Sequence, residues 1–522
     1  MQHNLEQSIP MTSPQKLYKA YQELSPAIER EIVTGPQVTE AVSEIRQHYK
    51  ERRRGRQGLA MWHLILMISD SVLLVALLTV VFIMTPYLHL QLEFLRYKYV
   101  WETILVWGSL ALASWSVATK LTQAYDLSSA LNRFKSPLTI VFALILMCFF
   151  WMILTSPSFR EDGISSIKIM LFFFFLASPV MAAWRIIFAE IMCLPRLRTK
   201  AVILGTTTAG KTIAQELLRA KRTHTTLLGY ISENIDADVQ LQEDGIPLLG
   251  DSNVLYHLAQ CGMIDMIITA VDYSVHPELF KQVIEIAQRG ISVVPMPIAY
   301  ENTSGKIPVE YIGDQWYLAL PLKVVVSPLY LCWRKVMDVI FGLIGATVLL
   351  LIFPFLTVLI YMDSPGPIFY SQERSGLKGK IFRIYKFRSM RTNAEHPGHA
   401  VWATKDDPRV TRIGRFMRAT HLDELPQVLN ILRGDMSLIG PRPEREEFGI
   451  ELEKNIPFYR CRLIVKPGLT GWAQVKYPYG STDNDALNKL QYDLYYIKRQ
   501  SFMLDIFIIL KTVVEVFFAR GV

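Results

Sequence analysis

Residues 339–361 form a run of 23 without a charged side chain, interrupted at its middle by Pro354. A helix of roughly 20 apolar residues is what crossing hydrocarbon requires, so length alone favours a span. Two features argue otherwise. Pro354 has no amide donor and its ring clashes with the preceding turn, so the helix is expected to kink or break there. Both flanks are basic: Lys323, Arg334 and Lys335 precede the run, and Arg374, Lys378, Lys380, Arg383, Lys386 and Arg388 follow it. Cationic flanks stay on the cytoplasmic side. The run is therefore read as a re-entrant helix-break-helix over residues 336–362 that enters and leaves one leaflet.

Four further apolar stretches precede it, near residues 64–85, 99–118, 138–155 and 164–188. In a chain of 522 residues that is 51% hydrophobic, they identify an integral membrane protein with a four-helix bundle. The basic run ending at Arg56 and the cluster Arg185, Arg196, Arg198 and Lys200 put both ends of the bundle on the cytoplasmic face. Asp70 and Glu102 lie in or beside these spans; an intramembrane acid is a functional candidate, with an acid facing the bundle as the alternative. Residues 1–57 are polar, lack the apolar core of a signal peptide, and read as a disordered basic tail. The five cysteines, Cys148, Cys193, Cys261, Cys332 and Cys461, form no CxxC pair. Neither a zinc site nor a disulfide framework is indicated. The net charge of +8 gathers beside the apolar segments, where anionic headgroups attract it; nucleic acid is not the expected partner.

From Lys200 short apolar runs alternate with helical patterns, which argues a doubly wound Rossmann-like α/β domain. Its first turn, from Gly205 to Thr212, satisfies a P-loop pattern literally. It fits equally a Rossmann turn whose middle glycine has become Thr207, with Glu233 in the ribose-binding position. A degenerate Rossmann fold is preferred to a working nucleotide site or a Walker site with Asp272 as its second acid. Residues 296–320 read as a linker rich in glycine, proline and tyrosine.

Beyond the re-entrant element, Asp423, Glu424 and Pro426 are expected in the first turn of a helix, where proline is tolerated and the helix dipole favours ionised acids. Adjacent helical positions point about 100° apart, so the two acids suit different roles, one nucleophile and one metal ligand. Arg418, one turn upstream, and Arg442, in the turn Pro441-Arg442-Pro443, offer guanidinium forks to phosphate oxygens. The alternative for a bare Asp-Glu pair is an N-cap acid with a solvated neighbour.

A series of motifs sets that alternative aside. Asp363-Ser364-Pro365-Gly366-Pro367-Ile368-Phe369, Tyr385-Lys386-Phe387-Arg388-Ser389-Met390, Asp407-Pro408-Arg409-Val410-Thr411, Leu422-Asp423-Glu424-Leu425-Pro426-Gln427, Gly434-Asp435-Met436-Ser437, Gly440-Pro441-Arg442-Pro443 and Lys466-Pro467-Gly468-Leu469-Thr470-Gly471-Trp472 occur in order. Across residues 330–515 the chain resembles the bacterial polyprenyl-phosphate hexose-1-phosphate transferases, or monotopic phosphoglycosyl transferases. The preceding helices and Rossmann-like domain resemble the large form of that family. The resemblance implies that Asp423 attacks the sugar-linked phosphorus of a UDP-hexose, expelling UMP, and that Glu424 binds Mg2+. Undecaprenyl phosphate then takes the sugar phosphate from the aspartyl intermediate, initiating exopolysaccharide, capsule or O-antigen repeat units. It also implies that Lys386 and Arg388 bind the nucleotide or the lipid phosphate, with plain membrane anchoring as their alternative.

The expected layout is a tail at 1–57, a transmembrane bundle at 58–192, a Rossmann-like domain at 193–322 and an α+β monotopic catalytic domain at 323–522. It sits in the bacterial inner membrane with its catalytic domain facing the cytoplasm, and the added elements suit a homodimer. Departures from the family pattern are His421, where serine is usual, and Phe353, where serine often precedes the helix-breaking Pro354. His421 is not expected to act as a base, since the acceptor phosphate is already anionic. Asp483-Asn484-Asp485 imitates the metal-binding DxD of nucleotide-sugar glycosyltransferases but reads as a turn; an ordinary glycosyltransferase using it is one alternative function, and a non-catalytic regulatory protein another. His396 and His399 read as a surface turn, and residues 503–518 as an interfacial amphipathic helix.

Overall fold

The computed structural model describes residues 58–84, 100–126, 130–133, 135–155, 163–194, 197–220, 224–232, 245–271, 277–311, 327–392, 407–477, 480 and 482–517. The tail and Glu233, Asp272, His396 and His399 lie outside them. The chain divides into two compact units, Met1–Ala299 and Tyr300–Val522.

In the first unit the apolar stretches form helices Gly58–Met84, Val100–Leu121, Lys135–Thr155 and Gly163–Met192. Their shared core is built on Leu74, Trp115, Ile140, Leu144, Met147 and Phe173, while Val72, Phe149 and Phe175 stay exposed, as lipid-facing side chains do. Among the described residues four helical segments are long and apolar enough to cross a membrane: Trp62–Met84, Lys135–Ile153, Ile167–Met192 and Pro328–Asp363. The expected second span is the helix Val100–Leu121; the side chain of Glu102 lies outside the described residues. Asp70 faces the bundle interior. Its Oδ2 accepts a hydrogen bond from Arg185 Nη2 at 2.7 Å, both side chains fully buried. Arg185 also donates to the carbonyl of Ala124.

Beyond the bundle, strands β1 (Thr199–Leu204), β2 (Thr225–Ile231), β3 (Leu248–Gly250), β4 (Met266–Thr269) and β5 (Ser292–Pro295) form one parallel sheet in the order β3-β2-β1-β4-β5. This is the doubly wound order expected from the alternating runs. The turn after β1 needs its glycines. Gly205 sits at φ 105°, and a Cβ on Gly210 would stand 2.3 Å from the Gly205 carbonyl oxygen, so the helix Thr208–Arg219 packs directly on the turn.

In the second unit, part of the expected linker is folded. Met296–Ser304 is helical and begins in the preceding unit. Ile307 and Val309 are buried with Leu452, Ile456, Leu490 and Leu494, and Glu301 pairs with Lys498 and Arg499 at 2.7 Å each. Glycine and proline mark a loop locally; these non-local contacts decide otherwise.

Pro328–Asp363 is a single helix of 36 residues that runs through Pro354, about 54 Å long at 1.5 Å per residue. The helix is not interrupted at the proline, which is itself exposed and forfeits one backbone hydrogen bond. Phe353 stacks on Phe369 at 5.6 Å, and Phe369 on Phe387 at 5.4 Å. Leu349, Leu356 and Ile360 pack with Phe387, Met417 and Val428, and Gly342 lies against Leu432. One face of the helix thus follows the catalytic core from Gly342 to Ile360, about 27 Å, while Leu343, Leu350, Leu351, Phe355 and Met362 are exposed.

The core itself joins an antiparallel hairpin, β6 (Phe369–Ser375) and β7 (Ile381–Phe387), and a parallel pair, β8 (Ser437–Ile439) and β9 (Gly468–Thr470), to short helices and two longer ones, Asp483–Lys498 and Phe502–Phe517.

Candidate active site

The two acids lie on a 3-10 turn, Leu422–Gln427, which hands over to the six-residue α-helix Val428–Arg433. This corrects the expected first turn of an α-helix. Proline suits either form, because neither needs its amide donor at that point. His421 enters the turn at φ 56° with its side chain exposed, and its carbonyl accepts from the Glu424 amide. Histidine is among the residues that tolerate this left-handed conformation.

Successive residues of a 3-10 helix point 120° apart, and the two carboxylates meet different surroundings. Glu424 Oε1 accepts from Lys386 Nζ and from Arg442 Nη2, each at 2.6 Å. Burial opposes ionisation of Glu424, but Arg442 and Lys386 together overcome it and hold the carboxyl well below its usual range. Asp423 is only 7% exposed, and among the described residues none donates a hydrogen bond to its carboxylate. Burial pushes its pKa up; Lys386, Arg418 and Arg442 pull it back without cancelling the effect, and the Glu424 charge adds to it.

Lys386 comes from β7, Arg418 from the helix Arg412–Ala419, and Arg442 from the turn after β8. Arg418 Nε donates to Ser389 Oγ at 3.0 Å, and its two terminal nitrogens meet no described acceptor. Pro441 and Pro443 are buried and seat the turn between strands: Gly468 N donates to the Pro441 carbonyl at 2.9 Å, and Gly440 N to that of Thr470 at 2.8 Å. Three cations therefore converge on two acids, an arrangement suited to holding phosphate oxygens beside a carboxylate.

The structure does not bring Arg388 into this group. Its guanidinium is buried and donates to the carbonyls of Ser364 and Pro365, at the end of the long helix. Arg462, which sequence reasoning missed, holds the Arg442 carbonyl at 3.0 Å and pairs with buried Asp493 at 2.8 Å. Its only signal in the sequence is proximity to Lys466-Pro467-Gly468. Asp483 and Asp485 open a helix: Asp485 completes a capping box with Thr482 and accepts from Tyr477 Oη at 2.9 Å. That motif is a cap and not a loop turn.

Among the described residues no three His, Cys, Asp or Glu side chains are grouped to hold a metal ion. Magnesium is commonly held by one or two carboxylates with substrate phosphates completing the shell, and Glu424 fits that donor set. Both described hydrogen bonds to Glu424 end on Oε1, which leaves Oε2 for a cation.

Residues 329–519 match a family model described as bacterial sugar transferase, and residues 120–297 one described as a CoA-binding domain. A UDP-N-acetylgalactosamine-undecaprenyl-phosphate N-acetylgalactosaminephosphotransferase of Aeromonas hydrophila is 41% identical over 213 residues, covering 41% of this chain and 49% of that protein. A UDP-glucose:undecaprenyl-phosphate glucose-1-phosphate transferase of Xanthomonas campestris pv. campestris is 34% identical over 320 residues, 61% of this chain and 66% of its own length. An exopolysaccharide production protein of Rhizobium leguminosarum bv. phaseoli is 40% identical over 187 residues, 35% of this chain and 94% of its own. The chain thus spans about half of the first relative and just under two thirds of the second.

Proposed function

The chain belongs to the bacterial sugar transferase family, and on that footing we propose that it transfers a hexose 1-phosphate from a UDP-hexose to undecaprenyl phosphate through a covalent aspartyl phosphate. The observation that carries this reading is the asymmetry of the two acids: Glu424 is neutralised by two cations, while Asp423 is buried with no described donor. A carboxylate in that state is poorly solvated and free to attack.

Asp423 attacks the sugar-linked phosphorus, a new P–O bond forms, and the phosphoanhydride bond breaks so that UMP leaves with the bonding electrons. An oxygen of undecaprenyl phosphate then attacks the same phosphorus and the carboxylate departs, giving the lipid diphosphate sugar. Lys386, Arg418 and Arg442 hold the phosphate oxygens as charge shifts between them. Both nucleophiles are anions, so no general base is needed, and exposed His421 has no role in proton transfer. Glu424 would hold magnesium through Oε2, which when bound neutralises charge on the diphosphate.

The long helix supports a monotopic setting. Catalytic core lines one face from Gly342 to Ile360, so a full crossing would draw that core into hydrocarbon. Basic residues at both ends favour the cytoplasmic face of the bacterial inner membrane. The proposed reaction places the protein at the first membrane step of polysaccharide repeat-unit assembly.

The decisive experiment incubates purified protein with a UDP-hexose and magnesium, without lipid. UMP release and a hexose-phosphate adduct on Asp423 by mass spectrometry are expected, both absent in Asp423→Asn. Release of UDP, or an unmodified Asp423 in an active preparation, would overturn the reading.

A further inference from the structure

The long helix carries a polar stripe that the proposed reaction does not use. Tyr330, Arg334 and Asp338 recur every four residues and share one face. Tyr330 Oη donates to Asp505 Oδ2 at 2.8 Å. Arg334 donates from Nη2 to the Ile439 carbonyl at 2.6 Å and from Nε to Ser437 Oγ at 3.1 Å. Two hydrogen bonds converge on Asp338 Oδ1, from Ser437 Oγ at 2.9 Å and from the Leu438 amide at 2.7 Å. All three residues of β8 are thereby fixed to the helix. Arg442 follows three residues later, and the bonds at Gly440 and Pro441 leave little slack between.

The same helix also seats the other half of the site. A Cβ on Gly342 would stand 2.7 Å from Leu432, and one on Gly345 2.6 Å from Val428. Both partners belong to the short helix that begins where the nucleophile turn ends. Seven residues, about 10 Å of rigid helix, separate Asp338 from Gly345.

We propose that this helix is the common frame for the two halves of the active site, with Asp338 and Arg334 as positioning residues that set Arg442 against Glu424 and the phosphate. The proposal rests on the phosphotransfer reading above. Displacing a group by about 1 Å can cost about 100-fold in rate, so the mount matters although it touches no substrate.

The test measures kcat and KM for UMP release by the full-length chain, with the melting temperature followed in parallel. Asp338→Asn keeps a single oxygen able to accept both hydrogen bonds and is expected within about 3-fold of the parent. Asp338→Leu loses the acceptor and is expected to lower kcat by about 100-fold with KM little changed. In an Arg442→Lys background the leucine substitution should cost less than about 3-fold, because the fork it positions is gone. Equal penalties in both backgrounds, or an asparagine variant as impaired as the leucine one, would overturn the proposal. If Asp338→Leu does not fold, Ser437→Ala removes one donor to Asp338 and serves in the same cycle, with the same non-additivity expected and strict additivity counting against the idea. Failure of the phosphotransfer reading is distinguishable: the parent itself would release no UMP.

Discussion

Lys386 Nζ donates to Glu424 Oε1 across 2.6 Å, so the acid beside the proposed nucleophile is the one that receives the cation. Arg442 donates to the same oxygen. Neutralising Glu424 limits its repulsion of Asp423 and of an incoming diphosphate, while the cost of burying Asp423 is offset only in part by Lys386, Arg418 and Arg442. The two acids therefore respond oppositely to pH.

Asp423 has a pKa raised above its ordinary 3.8, first by burial. Its ionised form costs folding free energy, and that cost appears as pH rises through the raised value and vanishes below the ordinary one. Asp423→Asn should therefore melt a few degrees above the parent near neutral pH while losing UMP release, with the gap closing as the pH is lowered toward 4. Glu424, held low by Arg442 and Lys386 against burial, stabilises the fold above its ordinary 4.5 and loses that contribution only on deep acidification. Glu424→Gln should lower stability by about 1–2 kcal/mol at neutral pH, a figure kept small because Arg442 is partly solvated. Thermal unfolding of both variants across pH checks the opposite signs.

Arg388 gives a different expectation from Lys386, although the two are only two residues apart. Its guanidinium caps the carbonyls of Ser364 and Pro365, and a Cβ on Gly366 would collide with it. Arg388→Ala leaves those acceptors without their donor and should cost about 1–3 kcal/mol of stability with KM for the UDP-hexose nearly unchanged. Lys386→Ala should instead raise KM or lower kcat with a smaller change in melting temperature. Paired kinetic and unfolding measurements separate the two residues.

How far the sequence reached is clear from particular elements. Periodicity is enough for the apolar helices and for β1, β2, β4 and β5; in the central strands β1 and β4 the reason is burial on both faces, which leaves a continuous apolar run. Of the residues that motif order named, Lys386 and Arg442 meet on Glu424 beside Asp423, and Arg418 is bonded to Ser389. Motif order did not separate Arg388 from Lys386, since which way a cation turns depends on acceptors contributed from 23 and 24 residues away. The folded segment around Glu301, Ile307 and Val309 was illegible for the same reason: its composition is that of a loop, and its order comes from partners at Leu452, Lys498 and Arg499. The helix continues through Pro354, where the local rule for proline predicts a break, and its neighbour Phe353 stacks on Phe369, a contact that no local rule contains.

Asp70 and Arg185 form a fully buried pair between two helices of the bundle. Removing one partner strands the other charge, at about 3–5 kcal/mol, whereas replacing both with apolar residues is often neutral. Asp70→Leu should sharply lower the yield of folded protein, and the double variant Asp70→Leu with Arg185→Leu should recover it. Size-exclusion profiles and melting curves of detergent-extracted protein provide the readout. A requirement for the charges themselves would show as a double variant that folds but no longer releases UMP.

The Asp483-Asn484-Asp485 motif offers the sharpest contrast between two kinds of transferase. If these acids held the metal of an ordinary glycosyltransferase, replacing either would abolish turnover. Their geometry assigns other work: Thr482 Oγ1 accepts from the Asp485 amide, Asp485 accepts back from the Thr482 amide, and Asp483 accepts from Asn455 Nδ2 at 3.0 Å. A capping box of this kind contributes about 1 kcal/mol to the helix that follows. Asp485→Ala and Asp483→Ala should each lower the melting temperature slightly and retain at least half of the parent rate of UMP release. A variant at either position that folds normally yet loses all turnover would return catalysis to this helix start and away from Asp423.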